Sequence, residues 1–132
     1  MALIEIVREV PLQQEEAWSR LTDWQRHGDF VPLTSIRLLD NGFVARTGVG
    51  PLGFSDPMEI VEWAEPSYCR LEKRGRIVTG WAELSVEPLD LGSRVVWREE
   101  IHVTGMPRLA DGLTRASSRL LFSRVIDGLL RT

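Results

Sequence analysis

One stretch of this chain is long enough for a helix of several turns, and it comes last: MPRLADGLTRASSRLLFSRVIDGLLRT, Met106 to Thr132. Pro107 stands where a first helical turn tolerates its missing N–H, and no proline follows it. At 3.6 residues per turn, Thr114, Ser118, Leu121, Phe122, Val125 and Leu129 fall on one side. This stripe is small and polar in its first half and apolar in its second. Such a helix plugs a hydrophobic sheet with its C-terminal half and leaves space beside its N-terminal half. A uniformly packed helix with two tolerated hydroxyls would explain the same stripe. A second apolar stripe, Leu109, Leu113, Ala116 and Leu120, runs along roughly the opposite side, flanked by Arg115 and Arg119. Either the helix bends near Gly112 or this side is covered too, by the N-terminal helices or by a partner chain. A homodimer through the C-terminal helix is therefore one expectation.

A chain of 132 residues suits a single domain, residues 1–132, with a core that needs no staples. MALIEIVREV carries Glu5, Arg8 and Glu9 and lacks the apolar run of a signal peptide. No segment approaches the roughly 18 apolar residues of a membrane span, so no integral membrane contact is expected. The single cysteine, Cys69, excludes an internal disulfide and a cysteine-based metal cluster, which points to a reducing cytoplasm. Net charge is −3 and uneven. From Met106 onward five arginines meet two aspartates, a local +3 that leaves −6 for the rest. These arginines lie on at least two sides without interleaved aromatic residues, so a solvated surface is expected and nucleic acid is not.

Taken in order, Leu3 to Val10 alternates like a strand, with Ile4, Ile6 and Val10 on one face and Arg8 sharing it. Pro11 stops it. Gln13 to Leu21 reads as a short helix with early acids and Ala17, Trp18 and Leu21 inward. Thr22-Asp23 can cap a second short helix around Trp24, ended by His27-Gly28-Asp29. Turn residues then punctuate six antiparallel strands: Ile36 to Leu39, Phe43 to Val49, Phe54 to Trp63, Tyr68 to Arg74, Ile77 to Val86 and Arg94 to Val103. The third is expected to be irregular around Pro57. The only large element able to cover the apolar face of this sheet is the terminal helix. The expected fold is therefore α+β, a curved antiparallel sheet wrapped around a long C-terminal helix.

That order resembles the helix-grip domains of the START-like (SRPBCC) superfamily, and within it the polyketide cyclase/dehydrase and lipid-transport group. The segments that carry the likeness are EVPLQQEEAWSRLTDWQRHGDFVP, V-E-W-A-E-P (61 to 66), and G-W-A-E-L-S-V-E-P followed by G-S-R-V-V-W (80 to 97). The resemblance spans essentially the whole chain, and its motifs are specific to fold and not to a reaction. It implies an apolar cavity between sheet and helix for a lipid-like, aromatic or polyketide ligand. It does not choose between carriers, aromatase/cyclases and members without a known activity.

Strand alternation selects the inward side chains. Val95, Trp97, Ile101 and Val103 share a face with Glu99, while Val96, Arg98, Glu100 and His102 oppose them. Val78, Gly80, Ala82, Leu84 and Val86 point inward, and the small Gly80 and Ala82 leave room. Ligand contacts are expected from Trp24, Phe30, Met58, Gly80, Ala82 and Trp97, together with Glu99, Leu109, Thr114 and Ser118. The convex face should carry a ladder of Arg70, Glu72, Glu83, Arg98 and Glu100. Glu99 and Arg8 are the two charges assigned to apolar faces. Because first and last strands are neighbours in a helix-grip sheet, they could pair, as a structural ion pair or as general base and oxyanion holder. Asp56 is a third candidate, of uncertain direction beside Pro57.

Other motifs are weak. Gly48-Val49-Gly50-Pro51-Leu52-Gly53 lacks the lysine and helix of a phosphate loop and reads as a hairpin rim. His27 and His102 lie far apart, so neither a metal site nor a cofactor is expected. Ser117 and Ser118 have no histidine at motif spacing. The favoured function is binding, or transport, of a hydrophobic small molecule. An aromatase/cyclase using Glu99 and Arg8, and an interaction module using the second stripe, are the alternatives.

Overall fold

The computed structural model describes residues 2–105 and 107–131, with the side chains of Ala2 and Arg108 left aside. Met106 and Thr132, the ends of the terminal stretch, lie outside the described residues. Strand β1 (Ala2–Val10) leads into helices α1 (Gln14–Leu21) and α2 (Trp24–His27), the latter continued by a 3-10 turn to Phe30. Six strands follow: β2 (Thr34–Leu39), β3 (Gly42–Thr47), β4 (Phe54–Ala64), β5 (Tyr68–Arg74), β6 (Val78–Leu89) and β7 (Gly92–Val103). Helix α3 (Asp111–Leu130) closes the chain after a 3-10 turn at Arg108–Ala110.

All seven strands form one antiparallel sheet in the order β1-β7-β6-β5-β4-β3-β2. First and last strands are thus neighbours, paired antiparallel from Ala2 opposite Ile101 to Val10 opposite Ser93. Alternation holds along β1, where Ile4 and Ile6 are buried while Leu3, Glu5 and Val7 are exposed. Pro57 stays in register opposite Val44, and the irregularity of β4 lies instead between Ile60 and Glu62. Neither Thr22 nor Asp23 caps α2 with its side chain; the Thr22 hydroxyl donates back to Trp18 O at 2.8 Å.

The convex face carries the charged ladder. Arg70 pairs with Glu83 at 3.5 Å and lies over the Trp81 ring, and the Trp81 indole donates to Glu100. On the concave face α3 seals one end with Val125, Ile126, Leu129 and Leu130, all buried. Helix and N-terminal segment approach closely at Gly128, where a Cβ would stand 2.3 Å from the Phe30 ring. At its N-terminal half α3 stands further off. Thr114, Ser118, Leu121 and Phe122 are only half-buried, although they continue the buried stripe.

The second apolar stripe of α3 is not covered within the chain. Leu109 is 98% exposed, Leu113 71% and Leu120 57%. α3 is one continuous helix from Asp111 to Leu130, and Gly112 lies in its first turn. Cover by the N-terminal helices is thereby corrected: α1 and α2 pack against the other side.

Candidate functional site

Between the N-terminal half of α3 and the sheet lies a cavity of about 230 Å³. Its helix wall is Thr114, Ser118, Leu121, Phe122 and Val125. Its aromatic wall is His27, Phe43, Trp97 and Phe122, with Trp97 stacked on Phe122 at 6.2 Å between ring centres and tilted against His27 at 6.0 Å. Ile36, Met58 and Ile101 add apolar surface. Thr34 and Thr47 lie on neighbouring strands and bond to each other at 2.8 Å.

One corner is charged. Lys73, Asp56 and Glu99 all line the cavity. Each is placed by strand alternation: Lys73 follows the buried Cys69 and Leu71 on β5, Asp56 precedes Met58 on β4, and Glu99 lies between Trp97 and Ile101 on β7. The Lys73 ammonium lies 2.9 Å from Asp56 Oδ2 and 3.0 Å from Glu99 Oε1, with Met58 Sδ at 3.8 Å. Side-chain exposure is 2% for Lys73, 0% for Glu99 and 16% for Asp56. The Trp97 indole donates to Glu99 Oε2 at 3.1 Å. Asp56 Oδ1 is buried without a hydrogen-bond partner among the described residues. Glu99 Oε1 meets the Lys73 ammonium at ion-pair distance.

Burial pushes the Glu99 carboxyl above the usual range, against the pull of Lys73 and the Trp97 indole. Burial alone would lower Lys73, but Glu99 and Asp56 together outweigh it and hold the ammonium above its ordinary value. The corner therefore holds a charged lysine firmly between two acids, of which Glu99 takes up a proton more readily than an exposed glutamate. His27 is buried, with Nε2 2.8 Å from Leu21 O. A carbonyl only accepts, so Nε2 carries the hydrogen and the other ring nitrogen is an acceptor. Burial keeps this imidazole below its usual value.

Of the residues expected at the site, Met58, Trp97, Glu99, Thr114 and Ser118 line the cavity. Trp24 stands one layer behind, stacked on Phe43 at 5.1 Å. Phe30 packs on Gly128. Ala82 is fully buried in the core outside the lining. Gly80 answers a backbone need: its φ is +129°, and a Cβ would fall 1.9 Å from Glu100 O. Leu109 points to solvent. Arg8 does not meet Glu99. It faces Val95 across the ladder, whereas Ile4 faces Glu99, and its guanidinium binds Asp127 of α3 at 2.8 Å. The pair is half exposed, 37% and 50%. Lys73 was missed, although the period-two run Cys69-Leu71-Lys73 carries its signal.

The chain matches the family model described as polyketide cyclase / dehydrase and lipid transport over residues 1–131. Among solved structures it is similar to XoxI from Bacillus cereus, with a TM-score of 0.74 and 17% identity, covering 99% of this chain and 94% of that one. It is likewise similar to CV1439 from Chromobacterium violaceum, TM-score 0.72 and 12% identity over 98% and 96% of the two chains. Mll3558 from Rhizobium loti gives a TM-score of 0.74 at 12% identity over 98% and 96%. At these identities the likeness is one of fold. No curated protein sequence matches the chain.

Proposed function

The chain belongs to the polyketide cyclase/dehydrase and lipid-transport family, and from that membership we propose that it binds, or carries, a hydrophobic small molecule in the cavity under α3. The observation that supports this most is the cavity itself, apolar on most sides and aromatic along one wall. Its size also bears on the ligand. An engineered cavity of about 150 Å³ takes benzene, so 230 Å³ suits a compound of one or two rings better than a two-chain lipid. Native mass spectrometry of freshly purified protein tests for a co-purifying compound. Titration with the neutral probe N-phenyl-1-naphthylamine tests binding directly. Ser118→Phe, which fills the cavity from the helix side, should abolish the signal and leave the fold intact. Equal binding by that variant would place the ligand elsewhere.

A reducing cytoplasm suits this reading, since Cys69 is free and buried, its thiol pushed up to about 12. The aromatase/cyclase alternative loses Arg8 as oxyanion holder, because that side chain is engaged with Asp127. Homodimerisation through α3 draws on one observation, the exposed Leu109-Leu113-Leu120 face. Sedimentation of the wild type against Leu113→Lys tests it, with an unchanged monomer in both as the contrary result.

A further inference from the structure

We propose that the Asp56–Lys73–Glu99 corner is a polar anchor that selects apolar ligands ending in a hydrogen-bond donor, an alcohol, phenol or amine, and rejects carboxylates. The proposal rests on the cavity's binding an apolar molecule and adds which head group it takes.

The argument is an inventory of donors and acceptors. The ammonium of Lys73 has three hydrogens and three neighbours, Asp56 Oδ2, Glu99 Oε1 and Met58 Sδ. The indole hydrogen of Trp97 is used on Glu99 Oε2, and the Nε2 hydrogen of His27 on Leu21 O. Every donor of this corner is therefore engaged. Acceptors are in excess: Asp56 Oδ1 is buried with no partner among the described residues, while Glu99 Oε1 has the Lys73 ammonium. Two acids also face one cation. A ligand carboxylate would meet both acids and could gain a donor only by pulling Lys73 from one of them, leaving that acid buried and unpaired. A hydroxyl or amine brings the missing hydrogen to Asp56 Oδ1. It forms a hydrogen bond to an acid in a dry surround, the stronger kind.

A matched set of two-ring probes separates the head group from the body: naphthalene, 2-naphthol, 2-naphthylmethylamine and 2-naphthoate, titrated into the wild-type protein by calorimetry near neutral pH. The naphthol, the amine or both should bind at least about tenfold tighter than naphthalene, and the naphthoate at least about tenfold weaker. The two donor arms tell a neutral donor from a cation. Asp56→Asn, which keeps one acceptor oxygen and removes a charge, should narrow the gap between naphthol and naphthoate. Naphthoate binding as tightly as naphthol overturns the proposal. So does a naphthol and an amine that both bind no tighter than naphthalene, the result expected of a corner satisfied by water alone. If naphthalene binds, either result defeats the anchor and leaves the cavity standing. If no probe binds, both fall together.

Discussion

Replacing Lys73 by Met is the most informative single change. Methionine matches the length of the lysine stem and removes only the charge and its donors. The site is dry, with Lys73 2% and Glu99 0% exposed. Removing one partner of such a pair leaves buried charge uncompensated, at about 3–5 kcal/mol. For a chain of this length that corresponds to a fall in Tm of roughly 10–20 °C. The loss should depend on pH in a definite sense. Without Lys73 the Glu99 carboxyl, already raised by burial, rises further, while in the unfolded chain it titrates normally. The folded variant then binds a proton that the unfolded one has released, so its stability is greatest in acid and falls as pH rises past the ordinary glutamate range. Urea denaturation at pH 5 and pH 7.5 measures both effects, with the m-value checking that the unfolding transition is unchanged. The penalty relative to wild type should be clearly smaller at pH 5. A loss below about 1 kcal/mol, or one that is the same at both pH values, would refute a dry corner held by Lys73.

Arg8→Ala should cost less than about 1 kcal/mol, because its pair with Asp127 is half exposed; a loss above 2 kcal/mol in the same assay would mean that the arginine is part of the buried site after all. Gly80→Ala should lower the free energy of unfolding by more than about 1 kcal/mol, since a Cβ at φ +129° meets Glu100 O. His27 is kept neutral by burial, so its contribution is present above its ordinary pKa and lost as pH falls. The acid limb of wild-type stability below about pH 6.5 should therefore flatten in His27→Gln, and an unchanged limb would assign it to other groups.

Much of the fold could be read from local pattern, because each element carries its own period. The stripe Thr114-Ser118-Leu121-Phe122-Val125-Leu129 identified the inner side of α3, and alternation placed Glu99 inward beside Trp97. What local pattern cannot give is register. Arg8 lies on the expected face of β1, but pairing sets it opposite Val95, four residues and about 13 Å along the strand from Glu99's partner. α3 then offers Asp127 within reach. Lys73 has a different cause. Its alternation with Cys69 and Leu71 was visible, yet a lysine on an apolar face is understandable only once Asp56, from a neighbouring strand, and Glu99, two strands away, are seen to converge on it. Gly80 and Ala82 show the limit of reasoning from size. One small residue serves the backbone and the other the packed core, so neither opens space.

The most direct test of binding under α3 is a proton–nitrogen NMR titration of the wild type with 2-naphthol, using the Trp97 indole N–H as reporter because it bonds to Glu99 inside the cavity. The Trp97 indole should shift in saturable fashion, together with the amides of Thr114, Ser118 and Phe122. The Asp90-Leu91 turn, at the far end of the β6–β7 hairpin, should stay still. Shifts confined to the exposed Leu109 and Leu113 surface, or none at all at saturating probe, would contradict a ligand site in this cavity.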